Sequence, residues 1–374
     1  MQEFYIYVAI MRTIVYNLIV IHRNTKIHRR IYGKGFFTMK KKFAALLACT
    51  MAAAIALTGC GGSGSNGGSS ASDGGSSAGG KQTLVLATGG ETGTYYAVGG
   101  VLASTLNPLL QNSSINVTTS GGSKDDIEQI EDGVAQMGTV QNDVMSYAAH
   151  GTDLFEAAGA CTNFQAIAGL YDETCQIIAS PGIKSVEDLK GKTVSVGDAG
   201  SGVEFNARQI LAAYGIDIDK DINKVNSGFS ASADGLKDGK IDAAFVTAGA
   251  PTTAVTDLAT TKEISIVPVD AAHADALIDE YPFYTKSVIP AGTYNGVDVD
   301  TETVAVRATL VVSKDISEDV VYELTKAMFE NKEKMAESQS KFNELSLDTA
   351  LNGIDVDFHP GAQKYYEEQG VWKS

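Results

Sequence analysis

The stretch 84–104, LVLATGGETGTYYAVGGVLAS, is an apolar run followed by a glycine-rich turn and then by apolar residues at helical spacing. This order predicts a β-strand, a turn and an α-helix. The stretch 193–213, TVSVGDAGSGVEFNARQILAA, has the same order 109 residues further on, counted from 84 to 193. A repeat of this length is too long for a solenoid and favours two separate lobes of related build. A chance likeness between two α/β units is the alternative.

The remainder of the chain after residue 81 continues this alternation of apolar strands and amphipathic helices. Such alternation predicts an α/β fold with largely parallel sheets. We predict strands at Thr83–Ala87, Ile115–Thr119, Gln136–Val140, Gln165–Leu170, Gln176–Ala179, Thr193–Val196, Asp242–Val246, Ile264–Val267 and Thr303–Val312. We predict helices at Tyr95–Asn107, Lys124–Glu131, Asn142–Ala149, Val203–Tyr214, Ser230–Lys237, Ala271–Asp279 and Ser317–Glu337.

Both glycine-rich turns have features of an anion site. Each turn would place unpaired backbone N–H groups and a helix N-terminus at the carboxyl end of a strand, where open α/β sheets bind ligands. The hydroxyls of Thr92, Thr94 and Ser201 add hydrogen-bond donors. Neither turn has the lysine of a Walker A loop or the G-x-G-x-x-G spacing of a dinucleotide site. The two turns therefore predict a clamp for a small carboxylate.

The N-terminal region has the features of an export signal. Residues 39–59 contain a basic start and a short apolar run, which is typical of a secretory signal peptide. The run is shorter than the ~20 residues of a membrane span. Leu57-Thr58-Gly59-Cys60 has the form of a lipobox, which predicts a lipidated Cys60. Residues 60–81 are Gly/Ser-rich and predict a flexible tether. Residues 1–38 are interpreted as an upstream extension from a misplaced start codon, or alternatively as a real N-terminal span.

The charge distribution argues against some classes of binding partner. The chain has 29 basic and 45 acidic residues, and nine of the basic residues but one of the acidic residues precede Cys60. The remainder is therefore strongly acidic. Such a body is not expected to bind nucleic acid or to lie against anionic lipid.

Cysteine and histidine are too few and too dispersed to suggest a metal site or a catalytic triad. Beyond Cys60 the chain contains Cys161 and Cys175, whose spacing fits no metal motif. They could pair in an oxidising compartment or act as two small buried apolar residues. His150, His273 and His359 are widely separated. No metal, cofactor or enzymatic activity is predicted.

Six stretches together resemble the TAXI family of extracytoplasmic solute receptors, which serve TRAP transporters. They are GGETGTYYAVGG (89–100), GGSKDDIEQIEDGVAQMGTVQNDV (121–144), DLKGKTVSVGDAGSGVEFNARQIL (188–211), LKDGKIDAAFVTAGAP (236–251), IPAGTYNGVDVDTETVAVRATLVVS (289–313) and HPGAQKYYEEQG (359–370). These stretches occur in the family's order and run nearly the full length of the chain after the tether.

The resemblance implies a periplasmic-binding-protein type II-like fold with two lobes, each a mostly parallel sheet flanked by helices, joined by crossing strands. Lobe I would comprise residues 82–178 and 296–374, and lobe II residues 179–295. We also predict a monomer on the outer face of the cell membrane, held to the bilayer by the lipid on Cys60. Its ligand would be a small organic anion or an amino acid such as glutamate. The implied partner is a sodium-coupled pair of TRAP permease subunits.

The resemblance also suggests the residues that contact the ligand. In lobe I these are Gly90, Thr92, Thr94, Tyr95 and Gln141, together with Tyr171 near the lobe crossing; in lobe II they are Ser201, Gly202, Val203, Thr247 and Gly249. Val203 departs from the family, which usually has threonine there, so one hydroxyl is lost. Tyr95 could instead be a core aromatic residue, and Tyr171 a packed hinge residue.

Three other functions remain open from the sequence. An ABC-type receptor for sulfonates or thiamine precursors has a similar fold, and the partner genes would discriminate it. A hydrolase or transferase would need a base beside Ser201, and no histidine is nearby in the sequence. A surface adhesin or immunogenic lipoprotein without a ligand would have no pocket between the lobes.

Overall fold

The computed structural model describes residues 81–372. The upstream extension, the signal peptide, Cys60 and the tether up to residue 80 lie outside the described residues, and the interpretations given for them stay predictions. In the described part of the chain, no helix has the length and apolar character needed to cross a membrane.

Ten strands form one sheet within the described residues, in the order β2-β1-β3-β10-β4-β7-β5-β6, with β8 paired to β4 and β9 paired to β10. Their bounds are β1 Gln82–Ala87, β2 Ser113–Thr118, β3 Met137–Gln141, β4 Phe164–Ala179, β5 Thr193–Ser195, β6 Asn223–Val225, β7 Ala243–Ala248, β8 Ser265–Val267, β9 Thr285–Ile289 and β10 Thr301–Ser313.

Two long antiparallel strands, β4 and β10, run through the whole body and divide the sheet into two halves. Strands β1, β2 and β3 are mutually parallel on one side, and β5, β6 and β7 are mutually parallel on the other. Strand β10 pairs with β3 in the first half and with β9 in the second, while β4 pairs with β7 and β8. We name the first half lobe I and the second half lobe II. Because both connecting strands belong to both lobes, the residue bounds of the lobes stay predictions.

Helices cover both faces of each half of the sheet. Their bounds are α1 Thr94–Leu106, α2 Ser123–Glu131, α3 Asn142–His150, α4 Gly202–Ala213, α5 Phe229–Lys237, α6 Thr253–Thr261, α7 Ala271–Glu280, α8 Glu318–Glu330, α9 Lys332–Ser338 and α10 Pro360–Glu368. In lobe I, α1, α8, α9 and α10 pack on one face and α2 and α3 on the other. In lobe II, α4 and α7 pack on one face and α5 and α6 on the other. The α/β fold class is as predicted.

Three features differ from the sequence-based expectation. The predicted strands Gln165–Leu170 and Gln176–Ala179 are one continuous strand, β4, because Asp172 and Glu173 between them are part of the ladder with β10. The predicted helix Ser317–Glu337 is interrupted at Asn331, whose φ of −116° and ψ of 17° are not helical. The short edge strands β6 and β9 and the helices α6 and α10 were not predicted.

The two cysteines beyond Cys60 are not bonded to each other. Cys161 and Cys175 are both free and buried among the described residues. Burial raises the pKa of the Cys161 thiol to about 11 and that of the Cys175 thiol to about 12. The sequence left open a disulfide bond or two small buried side chains, and the structure shows the two buried side chains.

Candidate functional site

A cavity of about 90 Å³ lies between the two lobes at the carboxyl ends of β1, β3 and β7. This is the edge at which open parallel sheets bind ligands. Its volume lies between that of a single water site and the ~150 Å³ cavity that accommodates benzene, so it suits a compact molecule. It is lined by Thr88, Gly89, Gly90, Thr92, Gly93, Thr94, Tyr95, Gly121, Gly122, Ser123, Gln141, Glu173, Asp198, Ser201, Gly202, Val203, Gly228, Phe229, Thr247 and Ala248.

Four helices begin at the wall of this cavity. Helices α1, α2, α4 and α5 have their first residues among the lining residues, and two of these helices come from each lobe. The N-cap residues Gly93, Gly122 and Gly228 have no side chain that could satisfy the N–H groups of the first turn. These unpaired N–H groups and the helix dipoles make the cavity wall electropositive. The arrangement therefore favours an anionic group.

The loop before α2 fixes the first glycine-rich turn in place. The Ser120 hydroxyl oxygen accepts hydrogen bonds from the backbone N–H of Gly89 at 2.7 Å and of Gly122 at 3.1 Å. Within the turn, the Gly93 N–H donates to the Gly90 carbonyl at 3.0 Å. Gly89 has a φ of 69°, a conformation that an L side chain rarely adopts. These contacts hold the backbone around the start of α1 in one geometry.

The second glycine-rich turn is held in place by hydrogen bonds to side chains at the start of α4. Ser201 caps this helix, since its hydroxyl accepts from the Glu204 N–H at 3.2 Å. The Glu204 carboxylate in turn accepts from the Gly200 N–H at 2.7 Å and pairs with Lys224 at 3.2 Å. The N–H groups of Gly202 and Val203 have no intrahelical partner at this end of the helix. Val203 lines the cavity with an apolar side chain.

The lobes contact each other directly around the cavity. The Thr94 hydroxyl donates to the Gly249 carbonyl at 2.8 Å, and the Ala254 N–H donates to the Thr92 carbonyl at 3.3 Å. Both bonds join α1 and its turn in lobe I to the segment after β7 in lobe II. The structure is thus a closed form in which the two turns face the same cavity.

A buried polar network holds the lobes together beside the cavity. The Gln141 amide of lobe I donates to the Asn206 oxygen of lobe II at 2.7 Å. The Asn206 amide donates in return to the Asp143 carboxylate at 3.0 Å and to the Tyr284 hydroxyl at 2.9 Å. Burial raises the pKa of Asp143 to about 6, although hydrogen bonds from Val144 and Asn206 lower it. Asn206 therefore links side chains from both lobes.

The structure gathers most of the predicted ligand contacts in one place. In lobe I, Gly90, Thr92, Thr94, Tyr95 and Gln141 line the cavity; in lobe II, Ser201, Gly202, Val203 and Thr247 line it. Tyr171 and Gly249 are not among the lining residues. They pack against each other behind the wall, since a Cβ on Gly249 would lie 3.1 Å from the Tyr171 ring and 2.9 Å from the Thr94 methyl group. Tyr171 is 1% exposed and lies on β4, and its contact with a ligand stays a prediction.

The side chain charges at the cavity are acidic. Among the described residues that line it, Glu173 and Asp198 are charged and none is lysine or arginine. Glu173 is 2% exposed, and its Oε2 accepts a short hydrogen bond from the Tyr95 hydroxyl. Burial raises the pKa of Glu173 well above its usual range, opposed by the Tyr95 hydrogen bond. Asp198 lies at the exposed rim of the cavity.

Sequence reasoning missed Glu173, Asn206 and Phe229. Glu173 lies within the acidic pair that divided β4 into two predicted strands, and its burial is not visible in the sequence. Phe229 follows Gly228 at the start of α5, as Thr94 follows Gly93 at the start of α1. The Phe229 ring lies close to the first turn, since a Cβ on Gly93 would be 3.6 Å from it. Asn206 lies inside a predicted helix, where nothing local distinguishes it.

One hydrogen bond across the lobes gives a direct test of closure. We expect Thr94→Val to raise the Kd for the bound ligand roughly 5–10-fold, because a buried hydrogen bond contributes about 1 kcal/mol. The Gly249 carbonyl keeps a second donor, the Thr252 hydroxyl at 3.0 Å. Calorimetric titration with the acid found to bind measures the effect.

The matched control is Thr325→Val. Its hydroxyl donates to the Val321 carbonyl at 2.7 Å within lobe I, so the substitution removes a similar bond without touching the lobe contact. This control should alter stability and leave the Kd unchanged. An unchanged Kd in Thr94→Val would show that this contact does not stabilise the closed form.

Comparison with known proteins identifies the family of the chain. The model of the NMT1-like family matches residues 86–370, which is most of the chain. The chain belongs to the NMT1-like family. The match includes both glycine-rich turns, Glu173 and Asn206.

Solved structures similar to this NMT1-like chain are distant from it in sequence. The periplasmic binding protein BugD is 15% identical, with a TM-score of 0.50, over 78% of this chain and 94% of that one. The periplasmic aliphatic sulphonate binding protein SsuA from Escherichia coli is 14% identical, with a TM-score of 0.41, over 71% and 80% of the two chains. The ligand-binding component of an ABC-type import system from Staphylococcus aureus is 10% identical, with a TM-score of 0.45, over 78% and 93%. The fold is that of the periplasmic binding proteins.

Proposed function

We propose that this NMT1-like protein is an extracytoplasmic solute receptor that closes its two lobes on a small organic acid. The observation that carries the proposal is the convergence of four helix N-termini, two from each lobe, on one cavity whose lining residues, in the described part of the chain, include no lysine or arginine. The partial positive charge of the backbone N–H groups then attracts the carboxylate of the ligand. Because each lobe provides half of these donors, the ligand contacts both lobes and favours the closed form.

We propose TRAP permease subunits as the membrane partner. The support is the resemblance of six ordered stretches to the TAXI receptors, of which two contain the glycine-rich turns. On this proposal Cys60 carries a lipid, and the Gly/Ser-rich residues 60–81 let the body move at the outer face of the membrane. Metabolic labelling with a radioactive fatty acid tests the anchor, since Cys60→Ser should abolish the label.

An ABC-type receptor is the second candidate. It is favoured by the fold shared with the sulphonate binding protein SsuA and by the fact that helix N-termini also suit a sulfonate. The neighbouring genes distinguish the two proposals. An ABC system includes an ATPase, whereas a TRAP system includes a pair of permease subunits and no ATPase.

A ligand panel tests the receptor proposal itself. The purified protein, freed of co-purified ligand by unfolding and refolding, is heated with amino acids, hydroxy acids, keto acids, dicarboxylates and sulfonates. At about 100 times its Kd, a true ligand stabilises the folded state by ~2.7 kcal/mol, or roughly 5–10 °C in melting temperature. Mass spectrometry of the material released on unfolding identifies the natural ligand independently. A protein that releases nothing and responds to no acid is not such a receptor.

A further inference from the structure

Glu173 is a buried acid with one oxygen left unpaired at the cavity wall. It lies on β4 where the lobes cross and is 2% exposed. Its Oε2 accepts a hydrogen bond from the Tyr95 hydroxyl, whereas Oε1 has no hydrogen-bond partner among residues 81–372. Oε1 is not one of the fully enclosed unpaired oxygens in this part of the chain. The small exposed fraction of Glu173 therefore includes Oε1, and Glu173 is one of the residues that line the cavity.

Charged and titratable groups surround Glu173 on several elements, and none of them neutralises it by a direct ion pair. They are Tyr95 on α1, Asp143 on α3, Tyr171 and Cys175 on β4, Asp198 at the cavity rim, and Lys341 and Glu344 in the 3-10 helix Ser340–Glu344. Lys341 attracts the Glu173 carboxylate, but its Nζ donates to Glu344 at 2.7 Å. On β10 the residue opposite Glu173 is Val306, which carries no charge. Among the described residues no lysine or arginine forms an ion pair with Glu173.

An ionised Glu173 does not suit a cavity that binds an anion. A volume of about 90 Å³ leaves little distance between Glu173 and a bound anion, and of two carboxylates that share a site one keeps its proton. Burial raises the pKa of Glu173 well above its usual range, and the Asp143 carboxylate raises it further. The Tyr95 hydrogen bond and Lys341 act in the opposite direction and are outweighed. The geometry and the charges both favour the neutral acid, whose O–H group is a hydrogen-bond donor.

We infer that Glu173 is the neutral acid in the closed form and donates a hydrogen bond from its free oxygen to the anionic group of the ligand. Tyr95 is a positioning residue, since its hydroxyl makes Oε2 the accepting oxygen and leaves the O–H group on Oε1. The inference rests on the proposed function and adds to the backbone N–H groups a donor that depends on pH. In an open form, water reaches Glu173 and its pKa moves toward the ordinary value. Closure on an anion therefore takes up one proton from the solvent, and opening releases it.

A role restricted to packing explains less of this arrangement. A glutamic acid that served only the Tyr95 hydroxyl would gain nothing from an unpaired oxygen at the cavity wall, because a polar atom without a partner destabilises the folded state. A bound anion supplies the acceptor that this oxygen lacks. The unpaired oxygen thus marks Glu173 as a contact of the ligand as well as of Tyr95.

Two substitutions separate a hydrogen-bond donor from a carboxylate at this position. Glutamine keeps a neutral donor of the same length, whereas methionine has a similar shape and no donor. The full-length protein, freed of ligand, is titrated calorimetrically at pH 6.5 with pyruvate, L-lactate, succinate and L-glutamate, and the acid that binds most tightly is used throughout. We expect Glu173→Gln to keep the Kd within about threefold of wild type. Glu173→Met should raise the Kd at least about tenfold, because it loses a hydrogen bond to a charged group.

Titration in buffers of different ionisation enthalpy counts the protons taken up on binding. At pH 7.5 the wild type should take up at least about half a proton per bound acid, so that the Kd rises at least about threefold per pH unit. Glu173→Gln should take up fewer than about 0.2 protons. Burial raises the pKa of Asp143 to about 6, so only about 3% of this acid is protonated at pH 7.5 in the closed form and it contributes little. Glu263→Gln is the matched control, since this exposed glutamate between α6 and β8 does not line the cavity and should behave as wild type.

The possible outcomes separate this inference from the proposed function. A Glu173→Gln protein that loses as much affinity as Glu173→Met would overturn the inference, and so would a wild type that binds an acid without taking up protons. Either result leaves the receptor function in place. Binding of none of the four acids, nor of any other acid in the ligand panel, would contradict the proposed function instead. If Glu173→Met does not fold, the difference in proton uptake between wild type and Glu173→Gln decides.

Discussion

Gly202→Ala should abolish measurable ligand binding, with at least about a 100-fold increase in Kd, while both lobes stay folded. In the closed structure, a Cβ on Gly202 would lie 1.6 Å from the Gln141 side-chain oxygen and 2.9 Å from a methyl group of Val144. Gln141 cannot simply turn away, because its amide bonds to Asn206 across the lobes. Closure is therefore blocked, whereas an open form has room for the methyl group. Small-angle scattering should show that excess ligand compacts the wild type and leaves the variant expanded.

Gly100→Ala is the control for this experiment. Gly100 lies in the exposed face of α1, and a Cβ there meets nothing within 4 Å. Alanine is favoured over glycine inside a helix by about 1 kcal/mol, so this variant should be slightly stabilised and should bind normally. A Gly202→Ala protein that binds with wild-type affinity would show that the closed contact between the turns is not the ligand-bound form.

Asp143→Asn should stabilise the folded protein at neutral pH by as much as roughly 3 kcal/mol. Burial raises the pKa of Asp143 in the folded state to about 6, whereas an unfolded aspartate has a pKa of ~3.9. The folded state thus binds an extra proton between these values, and stability falls as the pH rises from about 4 to about 6. Asparagine does not ionise, and its oxygen still accepts from Asn206. The gain should be present at pH 7.5 and absent at pH 4.

Chemical denaturation at the two pH values measures this effect. Asp257→Asn is the control, since this exposed side chain in α6 should change the free energy of unfolding by less than about 0.5 kcal/mol at either pH. Equal gains for Asp143→Asn at pH 4 and pH 7.5 would contradict the assignment of the effect to ionisation.

The sequence was most informative where local chemistry determines the structure. The runs before and after each glycine-rich turn specify a strand and a helix by their spacing, and both units form as expected. Strands β6 and β9 were missed because they are short edge strands; β9 has no regular alternation of buried and exposed residues. The break at Asn331 was missed because the amphipathic pattern continues across it into α9.

The composition of the site was less predictable than its location. The turns could be recognised from the sequence because glycines and hydroxyls cluster between a strand and a helix. Glu173 could not be recognised in this way, because a charged pair in an apolar run indicates a loop unless the partner strand is known. The bond between Gln141 and Asn206 depends on how the lobes are rotated, and no local pattern contains that information.

The path of the chain through the two lobes has a consequence for how the protein is made. The lobe I portion of β4 is covered by the end of the chain: the Ala350 carbonyl accepts from the Gly169 N–H at 2.8 Å, and the Tyr366 hydroxyl donates to the Ile167 carbonyl at 2.8 Å. Lobe II, by contrast, lies almost wholly in the middle of the chain. A polypeptide that emerges from the ribosome in order cannot complete lobe I until residues 350–366 are available. The residues of lobe II are therefore synthesised before lobe I is complete, and lobe II can begin to fold while the lobe I part of β4 still lacks its cover.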